Sequence, residues 1–160
     1  MPEQAKAAAI AAVDVPTSQR QSRYPQVFAA RVQGRVRRAL GDFFGLTNFG
    51  INLTRLAPGA MSALRHCHSR QDEFIYVVAG EPMMVTDAGE TQLKPGMCAG
   101  FRAGSGDAHH LINRTQTEVL YLEIGDRSEG DHVEYPDDDL RVEPAPGGGR
   151  RMLHKDGTPY

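Results

Sequence analysis

The chain has 160 residues, a length that suits one domain built around one hydrophobic core. Hydrophobic residues make up 40% of it and charged residues 24%, and the formal net charge is -2, so the composition shows no basic excess of the kind that binds nucleic acid. No run of about 18 apolar residues occurs, and the short Ala-rich stretch at 7–13 makes a poor signal peptide. We therefore expect a cytoplasmic protein without nucleic-acid or membrane partners.

The N-terminal part of the chain is predicted to lie outside the main core. Residues 1–25 are rich in Ala, Gln and Ser and end at Tyr24-Pro25, which is typical of a flexible arm. A local basic run follows, and we interpret it as a solvated strand or loop face. It comprises Arg31, Arg35, Arg37 and Arg38.

Short strands separated by turns fill the middle of the chain. Phe49–Leu56 alternates apolar with polar or small residues, the pattern of a half-buried strand. Further strands are predicted at 62–68, 73–78, 83–86, 91–93, 97–101, 109–113 and 119–124. Strands at intervals of about 8–12 residues predict an antiparallel sandwich or barrel.

The C-terminal part changes character beyond Gly125, where the chain becomes acidic and then rich in Gly and Pro. We expect residues 26–126 to form the β-domain and residues 127–160 to form a tail that is packed on the surface or partly disordered. The two cysteines, Cys67 and Cys98, belong to no C-x-x-C motif. Reduced thiols in packed positions are expected, although the sequence leaves a bridge between them open.

Histidines and one glutamate form the pattern that carries chemistry. In His66-Cys67-His68 the two imidazoles stand at i and i+2, so on a strand they share one face while the thiol points away. Glu73 follows at the start of the next predicted strand, and an antiparallel neighbour can return its carboxylate to the same ion. Another pair of histidines comes later, at His109 and His110. Because histidine is the commonest metal ligand, the pattern predicts a metal site.

These residues lie in two segments that resemble the two sequence motifs of the cupin family. The first segment reads Gly59-x6-His66-x-His68-x4-Glu73-x6-Gly80. The second reads Gly96-x7-Gly104-x4-His109-x3-Asn113. The first motif is one residue longer than usual before its first His; the second has Arg102 where Pro is usual and a longer gap before its His. Both departures lie in predicted loops, and the resemblance covers about residues 49–124.

The resemblance implies an all-β fold, a single-domain cupin with a double-stranded β-helix or jelly-roll barrel, an N-terminal arm and an irregular C-terminal tail. It also implies one divalent metal ion inside the barrel, held by His66, His68, Glu73 and His109. The motif places three residues between its His and Asn113, which favours His109 over His110. Residues 135–140 and 154–160 resemble a subgroup of small bacterial cupins that are sometimes described as sugar-phosphate isomerase-like.

The leading functional hypothesis is a small-molecule isomerase or lyase that acts on a sugar or hydroxycarbonyl ligand in the barrel. A divalent ion (Mn, Fe, Zn, Ni or Co), one per subunit, would hold adjacent oxygens while a nearby base moves a proton. The candidate bases are Tyr76, Tyr121 and Glu123, each equally explained as strand packing or surface. A sugar phosphate would also need a cationic group, and the candidates are Arg55, Lys94 and Arg102.

Two other functional hypotheses stay open. An Fe(II)-dependent dioxygenase of an aromatic or other small substrate would suit an apolar barrel wall, whose candidates are Phe101, Met83, Met84 and Ile75, although these residues equally suit a plain core. A non-catalytic module that binds a small ligand or metal is the third. The cupin resemblance further implies a homodimer paired through sheet edges, and residues 20–45 could cover such an edge in the partner.

Overall fold

The computed structural model describes residues 8–18 and 22–160, and strands dominate this part of the chain. The twelve strands within it are β1 (Arg35–Ala39), β2 (Phe49–Leu56), β3 (Cys67–His68), β4 (Glu73–Ala79), β5 (Met83–Thr86), β6 (Gly89–Gln92), β7 (Cys98–Phe101), β8 (His110–Ile112), β9 (Val119–Asp126), β10 (Val133–Tyr135), β11 (Leu140–Pro144) and β12 (Arg150–Leu153). The α-helices are α1 (Gln26–Ala29) and α2 (Leu40–Phe44), with single 3-10 turns at Ala12–Asp14 and Ala30–Val32. No helix in these residues has the length and apolar character needed to cross a membrane.

The strands form three antiparallel sheets that together make a jelly-roll-like β-sandwich. One sheet has the order β1-β2-β9-β4-β7, a second has β12-β11-β10-β3, and a third has β6-β5-β8. Neighbours such as β2 and β9 are far apart in the chain yet pair over their whole length, from Phe49 opposite Asp126 to Leu56 opposite Val119. The all-β prediction is confirmed.

Two apolar clusters fill the sandwich. The first lies on the inner face of the five-stranded sheet, where Leu56, Val77 and Val119 are completely buried. The second lies under the four-stranded sheet and includes Leu64, Leu140 and the α1 residue Phe28. Burying each of these large side chains stabilises the fold by about 1.5–3 kcal/mol.

The N-terminal segment is attached to its own chain where it is described. Val15 is buried, and Thr17 forms an isolated β-bridge with Arg38. The ring of Tyr24 packs edge-on against Tyr135, with 5.8 Å between ring centroids. Residues 1–7 and 19–21 of the predicted arm lie outside the described residues.

The prediction of an irregular C-terminal tail is wrong. Strands β10, β11 and β12 come from this part of the chain, and β10 pairs with β3, which puts Val133 opposite His68. Tyr135, Leu140 and Val142 are buried, so the short alternation of apolar and polar residues in this segment marks strands with one buried face. The tail therefore forms a wall of the sandwich directly behind one of the predicted metal ligands.

The segment predicted as a strand at 62–68 is extended only at its end. Met61 and His66 make isolated bridges, to Ile112 and His109 respectively, and regular pairing begins at Cys67. Both cysteines are free; Cys67 is half-buried, whereas Cys98 is exposed because it points to the face of β7 opposite to the core-facing Ala99 and Phe101. The expectation of two packed thiols is therefore wrong for Cys98.

A glycine with no room for a side chain ends β4. Gly80 has a φ of +78°, and a Cβ built on it would lie 2.6 Å from the carbonyl oxygen of Glu118 and 2.9 Å from Val119. Gly59 has nearly the same φ, +80°, but nothing lies within 4 Å of its Cβ position. An alanine at Gly59 would therefore show only the backbone cost of a positive φ, whereas an alanine at Gly80 would show that cost and a steric clash.

We predict that Gly80→Ala destabilises the protein more than Gly59→Ala. Both variants incur the left-handed backbone cost of about 1–2 kcal/mol, and Gly80→Ala adds overpacking against the β9 backbone of roughly 1–3 kcal/mol. Urea unfolding followed by circular dichroism measures the difference. Equal unfolding midpoints for the two variants would contradict the assigned clash.

The homodimer expected from the sequence stays a prediction. Phe74, Tyr76 and Val78 alternate along β4 and each is about 40% exposed on the outer face of the five-stranded sheet, next to the edge strand β7. An exposed apolar sheet face beside a free edge favours self-association. Light scattering at micromolar concentration is expected to give twice the monomer mass. Tyr76→Glu should lower the measured mass towards that of the monomer. A monomer mass for the unmodified chain would reject the prediction.

Candidate metal centre and cavity

Four side chains predicted as ligands meet at one point because two chain segments pair there. His66 and His109 face each other across an isolated antiparallel bridge, and their backbones exchange hydrogen bonds of 3.1 and 2.8 Å. His68 stands two residues further on, in β3, and therefore points to the same side as His66. Glu73 is the first residue of β4 and returns to this side after a short turn.

The three imidazoles converge on one carboxylate oxygen. The Nε2 atoms of His66 and His68 each lie 3.5 Å from Oε2 of Glu73, and Nε2 of His109 lies 3.1 Å from it. His66, His68 and Glu73 offer ligand atoms that all lie within 4.8 Å of one another, a group that could hold a metal ion. His109 joins this group through its contact with Glu73.

The other ring nitrogens determine which tautomer two of the imidazoles adopt. Nδ1 of His66 lies 2.8 Å from the carbonyl oxygen of Leu64, and Nδ1 of His68 lies 2.6 Å from Oδ2 of Asp131. A carbonyl or ionised carboxylate oxygen only accepts, so Nδ1 carries the proton in both rings. The lone pairs are then on Nε2, which points at Glu73, as a metal ligand requires.

The electrostatics of the cluster also fit a cation. Burial acts to raise the pKa of Glu73, whereas its contacts with His109, His66 and His68 lower it well below its usual range, because a ring that carries a proton on Nε2 stabilises the charged carboxylate, as a metal ion in that place would. Burial lowers the pKa of His109, which favours its neutral form. Among the described residues, the buried Oε2 of Glu73 has no hydrogen bond of acceptable geometry. A buried anionic oxygen surrounded by lone pairs is the donor set of a divalent metal.

Two further contacts hold the imidazole rings in place. The ring of His109 stacks on Phe101 with centroids 3.4 Å apart and planes 3° from parallel. The ring of His66 stacks on Tyr135 from β10 at 5.8 Å. These aromatic contacts limit the rotation of both candidate ligands. By contrast, Nδ1 of His110 lies 3.0 Å from the carbonyl oxygen of Ala63, and that ring is directed away from the cluster.

Asp131 supports the candidate site and was not predicted from the sequence. It is 3% exposed, and besides His68 it accepts hydrogen bonds from the backbone of Arg70 at 2.9 Å and the guanidinium of Arg150 at 3.2 Å. It lies in the segment expected to be irregular, shortly before the three-residue strand β10. A carboxylate that orients a ligand imidazole raises the basicity of that ligand.

We predict that Asp131→Asn weakens metal affinity by roughly tenfold or more, because His68 loses its anionic partner. A chelator competition titration measures the dissociation constant. Asp139→Asn is the matched control, since Asp139 makes the same kind of contact, 2.7 Å from Nδ1 of His154, away from the cluster. Equal affinities for both variants would contradict the supporting role of Asp131.

The candidate metal-ligand cluster opens into a cavity of about 1160 Å³ between the two apolar clusters. Of the candidate bases, Tyr121 and Glu123 line this cavity, whereas Tyr76 is exposed on the outer face of β4. Of the candidate apolar wall residues, Phe101 and Ile75 line it and Met83 and Met84 do not.

The cationic residues that reach the cavity are different from those expected. Arg55 pairs with Glu118 in solvent, and Lys94 and Arg102 are exposed outside the cavity lining. Instead, Arg35 and Arg37 of β1 line the cavity. The interpretation of the basic run as a solvated face is therefore wrong for these two residues.

A polar network joins Arg37 to the candidate bases Tyr121 and Glu123. The Tyr121 hydroxyl donates to Oε2 of Glu123 at 3.0 Å, and Asn52 donates to Oε1 at 3.1 Å. Nε of Arg37 lies 2.6 Å from Oε1. Burial raises the pKa of Tyr121 well above its usual value, with the nearby Glu123 charge acting in the same direction, so the phenol stays neutral and donates.

The comparisons with known proteins agree with this architecture. A family model described as a cupin domain matches residues 52–125. A sugar phosphate isomerase of the cupin superfamily from Silicibacter pomeroyi is 42% identical, with a TM-score of 0.82, over 87% of this chain and 88% of that one. The chain therefore belongs to the cupin superfamily, as its two motifs indicated.

More distant solved structures share the fold. A protein from Acidithiobacillus ferrooxidans, provisionally described as a sugar phosphate isomerase, is 26% identical over 86% of this chain and 94% of its own, with a TM-score of 0.71. A polyketide cyclase from Streptomyces resistomycificus is 19% identical over 74% of this chain and 78% of its own, with a TM-score of 0.60, and supports the fold alone. No curated protein matches the chain significantly.

Proposed function

We propose that the protein is a divalent-metal-dependent isomerase of a sugar-like hydroxycarbonyl compound, acting in the cytoplasm. The observation that carries the proposal is that a metal-ligand cluster and a hydrogen-bonded acid-base pair line one polar cavity. His66, His68, Glu73 and His109 would hold the ion. When bound, a divalent ion with open positions polarises a carbonyl oxygen as a Lewis acid.

Glu123 is suited to move the proton. Its Oε1 is held by Asn52, and its Oε2 accepts one hydrogen bond, from Tyr121, so a lone pair remains on Oε2 for a substrate C–H. It takes a proton from the hydroxyl-bearing carbon and returns it to the adjacent carbonyl carbon. Meanwhile the hydroxyl proton moves to the former carbonyl oxygen, so nothing is oxidised or reduced overall.

The character of the cavity wall supports a polar substrate over an apolar one. Guanidinium, amide, phenol and carboxylate groups face the space beside the cluster, and they belong to Arg35, Arg37, Asn52, Tyr121 and Glu123. A dioxygenase of an aromatic substrate would need a more apolar wall. The description of the 42% identical relative as a sugar phosphate isomerase points in the same direction.

Solvent isotope exchange tests the proposal. Metal-loaded protein is incubated in D₂O with aldoses, ketoses and their phosphates, and proton NMR follows loss of the C–H next to the carbonyl. We expect metal-dependent exchange that a chelator abolishes. Oxygen uptake by the iron-loaded protein without exchange would favour a dioxygenase, and ligand binding without any turnover would favour a binding module; both results contradict the proposal.

We predict that Glu123→Gln lowers the exchange rate by about 10²-fold or more, because the amide cannot accept the substrate proton. Metal content should be unchanged, since Glu123 is not a ligand in the cluster. Glu118→Gln is the control: Glu118 pairs with Arg55 on the surface, and its loss should leave the rate unaltered. Equal rates for the two variants would exclude Glu123 as the base.

A further inference from the structure

We propose that Arg35, supported by Arg37, binds the phosphate group of a phosphorylated ligand at the β1 end of the cavity. The inference rests on the proposed function only in placing the reactive end of that ligand at the metal cluster. The anion site itself stands on the strand geometry, the pairing and the charge of these two arginines.

The register of β1 turns both arginines inward. Arg35 lies opposite Leu56 and Arg37 lies opposite Thr54 in the antiparallel pair with β2. Directly opposed residues of such a pair point to the same face of the sheet. Leu56 and Thr54 are both completely buried, so their partners project into the sandwich. Arg38, one position out of phase, instead donates to the carbonyl oxygen of Val15 in the N-terminal segment.

The two guanidinium groups differ in how their charge is compensated. Arg37 is paired with Glu123 through its Nε. Arg35 donates through one terminal nitrogen to the carbonyl oxygen of Ser62, and among residues 8–18 and 22–160 no carboxylate forms an ion pair with it. Burial and the neighbouring charge of Arg37 lower the pKa of Arg35, but a guanidinium still keeps its proton.

A half-buried guanidinium without a counter-ion favours binding of an anion. Desolvated charges are stable only when paired, and Arg35 lines the cavity with N–H donors beyond the one that Ser62 accepts. The terminal nitrogens of Arg37 make no side-chain ion pair with any residue of 8–18 or 22–160 and add further donors. Together the donors of the two arginines outnumber what the two oxygens of a carboxylate can accept bidentately. Three phosphate oxygens match them better, which is why we assign a phosphate ester to this site.

The position of the arginines suits a ligand with two polar ends. In the five-stranded sheet, β4 with Glu73 and β1 with the arginines are separated by β9 and β2. Three strand spacings of about 4.8 Å correspond to about 14 Å of curved sheet. Glu73, Arg35 and Arg37 all line the same cavity, so both ends face one space. A short phosphorylated chain can reach from the cluster to Arg35.

Binding of inorganic phosphate to the metal-loaded protein tests the site without any turnover. Isothermal titration is expected to show binding that Arg35→Gln weakens at least tenfold, with metal content and thermal midpoint unchanged. Arg35→Lys should be intermediate, because it keeps the charge and loses the fork. Arg55→Gln, which removes an arginine outside the cavity, is the matched control and should bind phosphate normally. Unchanged phosphate affinity in both Arg35 variants overturns the inference.

Two comparisons separate this inference from the proposed isomerase activity. Sugar phosphates should bind more tightly than the corresponding free sugars, and the advantage should disappear in Arg35→Gln. If the advantage is present but no phosphorylated sugar undergoes isotope exchange, the isomerase proposal fails and the phosphate site stands. If sugar acids bind more tightly than sugar phosphates with the same dependence on Arg35, the assignment to phosphate is wrong.

Discussion

The convergence of three imidazoles on the buried carboxylate of Glu73 is the constraint around which the described structure is organised. Such a cluster is stable when the rings are neutral, oriented with their lone pairs inward, and able to share a cation. Each requirement is met by a different part of the chain: the bridge between His66 and His109 sets their spacing, and the carbonyl of Leu64 orients one ring. Asp131, from the C-terminal strands, orients another.

The same sandwich holds a second polar group away from the cluster. Glu123 is held on its inner face by Tyr121, Asn52 and Arg37, which come from β9, β2 and β1. Three neighbouring strands thus contribute to one network because cross-strand partners share a face. The cavity combines a cationic end at β1, an acid-base pair in the middle and a metal-ligand end at β3 and β4. The spatial order of these polar groups along the cavity is the physical basis for proposing a small phosphorylated substrate.

Much of the central sandwich could be predicted from local patterns. Phe49–Leu56 and Met83–Thr86 are strands with the predicted bounds, since alternation and β-branched residues act within a few positions. The C-terminal strands were missed because each is only a few residues long and lies between acidic and Gly-rich segments. Their stability comes from pairing with β3 and from burial of Tyr135 and Val142, neither of which a local pattern contains.

The sequence by itself determined the identity of the four residues at the cluster, because strand periodicity and the cupin motif spacing depend only on positions along the chain. It could not determine which charged side chains face the cavity. Arg35 and Arg55 look alike as residues in alternating strands, yet one points inward and the other pairs with Glu118 in solvent. That choice follows from the pairing register of β1 with β2 and from the closure of the sandwich, which only the tertiary structure decides.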